Sequence, residues 1–180
     1  MSFDLILFDG HVMTGSNDIP TLMDIGIKDG KIISIGKLKK ELSLKTVDCS
    51  NLVILPGVID TQVHFRDPGF THKEDIESGS KSAVMGGITA FCEMPNTKPL
   101  TISEYELNSK IKKSEKVSWC DYAFFVGATS KNISNLDLYE KLPGCAGVKI
   151  FMGSSTGELL VHDDEMLLKI MEHGSRRVAV

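Results

Sequence analysis

Cysteine is scarce in this chain: Cys49, Cys92, Cys120 and Cys145 stand far apart, and no two form a C-x-x-C pair. That excludes a small disulfide framework and a thiolate zinc knuckle, and leaves four reduced packing residues. No stretch approaches the roughly 20 apolar residues that span a bilayer. Met1-Ser2-Phe3-Asp4-Leu5 does not begin a signal sequence. A cytoplasmic protein without a membrane partner is expected. A stripe of Lys and Arg with interleaved aromatics is also missing, and the formal net charge is -4, which argues against nucleic acid as a partner. The cluster Lys37, Lys39, Lys40 reads as a solvated face.

What is present is ordinary globular material: 180 residues, 42% hydrophobic and 24% charged, enough for one sizeable core. Residues 1–53 alternate short apolar runs with turn signals. The pairs Asp9-Gly10 and Asp29-Gly30 suit two-residue turns, because both central residues need positive φ and these types tolerate it. A small antiparallel β unit is predicted there, with Gly15 to Pro20 as a surface loop.

Over residues 54–180 the rhythm changes to strands separated by helical stretches, the signature of βα units in a parallel sheet. The spacing predicts strands over 54–60, 89–93, 119–126, 147–151 and 177–180. Helices are predicted over 73–85, 102–114, 136–142 and 163–172, the last with Asp163 as N-cap and Gly174 as stop. Four βα units and a fifth strand make an α/β architecture, the first half of a (β/α)8 barrel, which needs about 250 residues to close. Open edges and a bare inner face invite association, including between copies of the chain.

The chemistry-bearing residues cluster where such strands end. Side chains alternate along a strand, so Gln62, His64 and Arg66 share one face while Val63 and Phe65 take the other. Asn96 follows the second strand and Lys149 lies in the fourth, so these groups converge on one mouth. Lys149 stands among Val148, Ile150, Phe151 and Met152, where an ammonium carries a large desolvation cost unless paired or chemically altered. The plainer alternative for Lys149 is a buried stem with its head in solvent. For Asn96 it is a turn residue held by local backbone bonds.

The run D-x-x-x-H-x-R-D-P-G from Asp60 to Gly69 resembles the cyclic amidohydrolases, and the dihydroorotases in particular. So do Glu93-Met94-Pro95-Asn96-Thr97 and Gly147-Val148-Lys149-Ile150-Phe151-Met152. The resemblance implies zinc-dependent hydrolysis of a cyclic amide, dihydroorotate to N-carbamoyl aspartate, in pyrimidine synthesis. It implies one or two zinc ions, with His64 and Lys149 as metal residues, Lys149 being carboxylated by carbon dioxide to a carbamate able to bridge two of them. It implies Arg66 and Asn96 as groups for a small-molecule substrate, a guanidinium gripping a carboxylate and an amide serving imide functions.

Two departures accompany it. Gln62 stands where the family places its first metal histidine, and a carboxamide is a weak zinc ligand beside an imidazole. The expected catalytic Asp and two more zinc histidines would lie beyond Val180, so the 180-residue polypeptide is expected to be inactive alone. The alternatives are an allantoinase or hydantoinase, or a non-catalytic, dihydroorotase-like partner of aspartate transcarbamoylase. His11, His72, His162 and His173 receive no metal role, His173 suiting a helix end.

Overall fold

The computed structural model describes residues 2–15, 19–153 and 157–180. The chain divides into two compact units, Met1–Pro56 and Gly57–Val180.

The first unit is a five-stranded sheet of β1 (Phe3–Val12), β2 (Thr21–Lys28), β3 (Lys31–Gly36), β4 (Ser43–Asp48) and β5 (Val53–Ile54). It is antiparallel along β1, β2 and β3, and parallel where β4 and β5 join β1. Asp29 and Gly30 both carry positive φ, at 50° and 70°, and close the tight turn between β2 and β3. Asp9-Gly10 behaves differently from the expected turn. Asp9 has φ of 56°, yet β1 continues through it as a bulge between the pairs Leu7↔Ile25 and Gly10↔Met23. A left-handed residue can insert one extra position into a strand as readily as it can reverse one. Its amide donates to Asp24 Oδ1 at 2.9 Å, which holds the bulge. The loop predicted at Gly15 to Pro20 falls partly outside the described residues.

The second unit is a parallel sheet of β6 (Val58–Val63), β7 (Ile88–Glu93), β8 (Asp121–Gly127), β9 (Cys145–Lys149) and β10 (Val178–Ala179), in chain order across the sheet. Between them lie α1 (Ile76–Met85), α2 (Glu104–Val117), α3 (Leu136–Tyr139) and α4 (Asp164–His173). This is the half-barrel read from the sequence, with two adjustments. Ile54 pairs with β1 in the first unit, so the first barrel strand begins at Val58. The third helix is one turn of α preceded by a 3-10 turn at Ile133–Asn135.

The helix boundaries follow from their caps. Asp75 accepts from the Ser78 amide, Ser103 from Tyr105, and Asp163 from Glu165 and Met166, each satisfying amides that have no partner inside the helix. Gly86 and Gly174 stop α1 and α4.

The two faces of this sheet are unequal. Under the helices lies a large core of Phe65, Ile76, Phe91, Leu107, Phe124, Val126, Val148 and Ile170. On the inner face, among the described residues, lies a small cluster of Cys92, Met94 and Phe125, packed with Ala123, Ala146 and Ala179. β6 is one edge of the sheet, and its Val58 and Ile59 are exposed. All four cysteines are free thiols. Among the described residues no helix is long and apolar enough to cross a membrane.

Candidate functional site

In a parallel sheet every carboxyl end lies on the same side, and loops leaving that side carry the reactive groups. β6 ends at Val63, and the chain turns away at once, because Arg66 takes a left-handed φ of 65°. The alternation expected for Gln62, His64 and Arg66 therefore stops before Arg66. The turn is held by the Arg66 carbonyl accepting from the Phe70 amide at 2.9 Å.

β7 ends at Glu93 and leads into Met94-Pro95-Asn96-Thr97. The Pro95 carbonyl accepts from both Thr97 and Thr101 amides, at 2.9 and 3.0 Å, and the Thr101 carbonyl accepts from Gly127 at 2.8 Å. This rigid turn buries Asn96 without using its side chain. Asn96 Oδ1 lies instead 2.9 Å from His64 Nδ1, and the Asn96 carbonyl accepts from Arg66 Nη1 at 3.3 Å. The structure thus joins three residues singled out from the sequence, His64, Arg66 and Asn96. The carboxamide spends itself on a distant imidazole, not on its own backbone as the turn alternative required.

As the carboxamide is oriented, its oxygen can only accept, so His64 Nδ1 carries a proton and Nε2 keeps its lone pair in the neutral ring. Gln62 is exposed, and its backbone N–H donates to Asp60 Oδ1 at 3.0 Å.

Lys149 is the last residue of β9 and is 6% exposed. Its register partner is Gly127, whose missing Cβ leaves room for Pro95 and Leu159. Lys149 therefore stands at the same level of the rim as the Pro95-Asn96 turn. It is three strands from β6, roughly 14 Å along a flat sheet, and no hydrogen bond or ion pair joins it to His64 or Arg66. Among the described residues it has no anionic partner; its ammonium lies 5.1 Å from the centre of the Phe151 ring. Burial pushes its pKa below the usual lysine value, which raises the share of free amine.

Sequence reasoning passed over the acids beside these residues. Asp67, immediately after Arg66, is fully buried; its Oδ2 accepts from the Ile76 amide at 3.1 Å and its Oδ1 pairs with Lys113 at 2.5 Å. Glu93, at the foot of the Asn96 turn, is fully buried and pairs with Lys110 at 2.5 Å, both groups nearly dry. The ammonium and carboxylate are in direct contact, so each is the other's partner in an otherwise apolar setting. Burial raises Glu93 and lowers Lys110, each partly opposed by the other's charge. Both lysines come from α2. The available signal was a lysine at the buried stripe position 110 of an otherwise polar helix, facing the acid in an apolar strand.

The donor set does not by itself make a metal site. Among the described residues no three His, Cys, Asp or Glu side chains gather as ligands for a cation. Among the described residues, His64 Nε2 and the Lys149 amine have no hydrogen-bond or ion-pair partner.

A family model described as the amidohydrolase family matches residues 53–168. Dihydroorotase from Pyrococcus abyssi is 40% identical over 153 residues, 84% of this chain and 33% of that protein. Allantoinase from Desulfitobacterium hafniense is 36% identical over 150 residues, 83% of this chain and 33% of that protein. Among solved structures, L-hydantoinase from Arthrobacter aurescens superposes with a TM-score of 0.79 at 28% identity, covering 93% of this chain and 37% of that one. The chain spans about a third of the length of the relatives it matches.

Proposed function

We infer, from the premise that this chain belongs to the amidohydrolase family, that the protein built on it reversibly hydrolyses a cyclic amide bearing a carboxylate. Dihydroorotate, opened to N-carbamoyl aspartate in pyrimidine synthesis in the cytoplasm, is the substrate we assign. The observation that carries this reading is the pairing of Arg66 and His64 on a single buried Asn96, at 3.3 and 2.9 Å. A guanidinium beside a carboxamide offers two parallel donors for a carboxylate and a further amide group for a ring imide.

In this reading Arg66 binds the substrate carboxylate, and its left-handed backbone turns the side chain toward the Asn96 turn. Asn96 orients the ring and keeps His64 protonated at Nδ1. The Lys149 ammonium loses one proton to solvent, and the free amine adds to carbon dioxide, forming an N–C bond as one C=O π bond opens and releasing a second proton, so that a carbamate anion takes the place of an unfavourable buried cation. A metal, read here as zinc, would be held on this chain by His64 Nε2 and that carbamate, and would supply Lewis acidity. The remaining ligands and the catalytic acid-base group are assigned to other residues of the intact protein.

The test is to purify the intact polypeptide from its native cell, record its mass, and offer it dihydroorotate, allantoin and hydantoin. Ring opening of dihydroorotate is expected; hydrolysis of allantoin without dihydroorotate would overturn the assignment. Gln62 favours one second reading, a non-catalytic partner of aspartate transcarbamoylase. Co-purification with that enzyme in a zinc-free state would support it, whereas stoichiometric zinc would remove its motive.

A further inference from the structure

The rim hangs from α2. His64 and Arg66 sit on the segment that continues into Asp67, and Asn96 sits on the segment that begins at Glu93. Both acids are fully buried beneath the rim, and each is met at 2.5 Å by a lysine of the same helix, Lys113 for Asp67 and Lys110 for Glu93. Residues three apart on a helix share a face, so one rigid element grips both segments at once. Lys110 is fixed further by lying 4.7 Å from the centre of the Phe124 ring, in the large core. Asp67 also receives the first amide of α1, which ties the same segment to a second helix.

We propose that Asp67, Glu93, Lys110 and Lys113 are positioning residues, a clasp by which α2 sets the distance between the His64-Arg66 segment and the Asn96 turn. A general contribution to stability would not need this arrangement. Buried pairs add little net stability over apolar residues of the same size, but they fix geometry because each charge demands one partner. The spacing they fix is that of the His64–Asn96 bond, and with it the tautomer of His64. The proposal rests on reading the rim as a site, but the bond can be observed without turnover.

The experiment follows the His64 Nδ1 proton of this chain by nitrogen-resolved NMR and its exchange with solvent. Lys113→Met, which leaves the Asp67 carboxylate with the Ile76 amide but no cation, and the neutral pair Glu93→Gln with Lys110→Met are compared with Ile170→Ala, a core truncation on α4. Exchange of the proton is expected to quicken about tenfold or more in both clasp variants. Ile170→Ala should leave it unchanged at an equal or larger loss of unfolding midpoint, and Lys113→Arg should restore it. An unaltered proton in both clasp variants, or an equal change in Ile170→Ala, would overturn the proposal. Failure of dihydroorotate turnover in the intact protein would leave this result standing and strike only the substrate assignment.

Discussion

His64 and Asn96, 32 residues apart in sequence, meet at 2.9 Å through Nδ1 and Oδ1. The bond leaves one imidazole nitrogen committed to protein and one available to a ligand. It also withdraws Asn96 from the local turn chemistry for which its residue type is usually chosen. Substituting Asn96→Leu, which keeps volume and removes the acceptor, should release His64 to both tautomers. The two imidazole nitrogen shifts should then converge, and a retained Nδ1–H signal would refute the bond as drawn.

Arg66 offers a second test, through its backbone. A left-handed φ of 65° costs a residue with a Cβ about 1 kcal/mol relative to glycine. Arg66→Gly and Arg66→Ala both delete the guanidinium, yet the glycine variant should unfold at higher denaturant, by about 1 kcal/mol. Equal midpoints would show that the turn carries no strain.

Lys149 is buried without an opposite charge among the described residues, and a buried ammonium so placed weakens the fold that holds it. Lys149→Met should raise the unfolding free energy of this chain by about 1 kcal/mol, read from urea denaturation at neutral pH. A loss of stability would mean that the ammonium has a favourable role in the folded state. The same lowered pKa gives a sign for pH: the folded state binds fewer protons than the unfolded one, so this destabilisation fades as pH rises toward the ordinary lysine value of 10.5.

Glu140 shifts stability in the same direction, but over the acid range. Burial by itself would raise its carboxyl, but hydrogen bonds from the Ser175 amide and hydroxyl and the Arg176 amide outweigh burial and hold it below the ordinary 4.5. Its contribution is complete above that value and is lost as pH falls through the lower, folded value. Glu140 fastens the loop that delivers β10, so an acid titration should loosen that loop first. Glu140→Gln should flatten the acid limb of the stability curve, which would otherwise keep its slope.

Gln62 addresses the metal. In the intact protein, Gln62→His should increase the zinc bound per chain, measured by elemental analysis after gel filtration. No gain would count against a metal role for this position.

Legibility from sequence differed by the range of the interaction involved. The βα rhythm, the capping residues Asp163 and Gly174 and the Asp29-Gly30 turn are local, and local chemistry suffices to place them. Asp9-Gly10 was locally ambiguous, since a left-handed Asp9 serves a bulge as well as a turn, and only the partner strand decides. Asn96 was recognised through its motif, but its tie to His64 depends on two strands being neighbours. Asp67 and Glu93 were invisible as partners of Lys113 and Lys110, because no periodicity says which helix will cover which strand. The left-handed Arg66 was missed because alternation was extended past the end of β6.

Lys110 and Lys113 occupy one stripe of one helix, together with Leu107 and Ser114. A helix advances about 100° per residue. Deleting a single residue between Leu107 and Lys110 would therefore swing both ammonium groups around the axis together and orphan two carboxylates under the rim. Such an indel, distant from every group that would touch a substrate, would mimic an active-site lesion in a genetic screen.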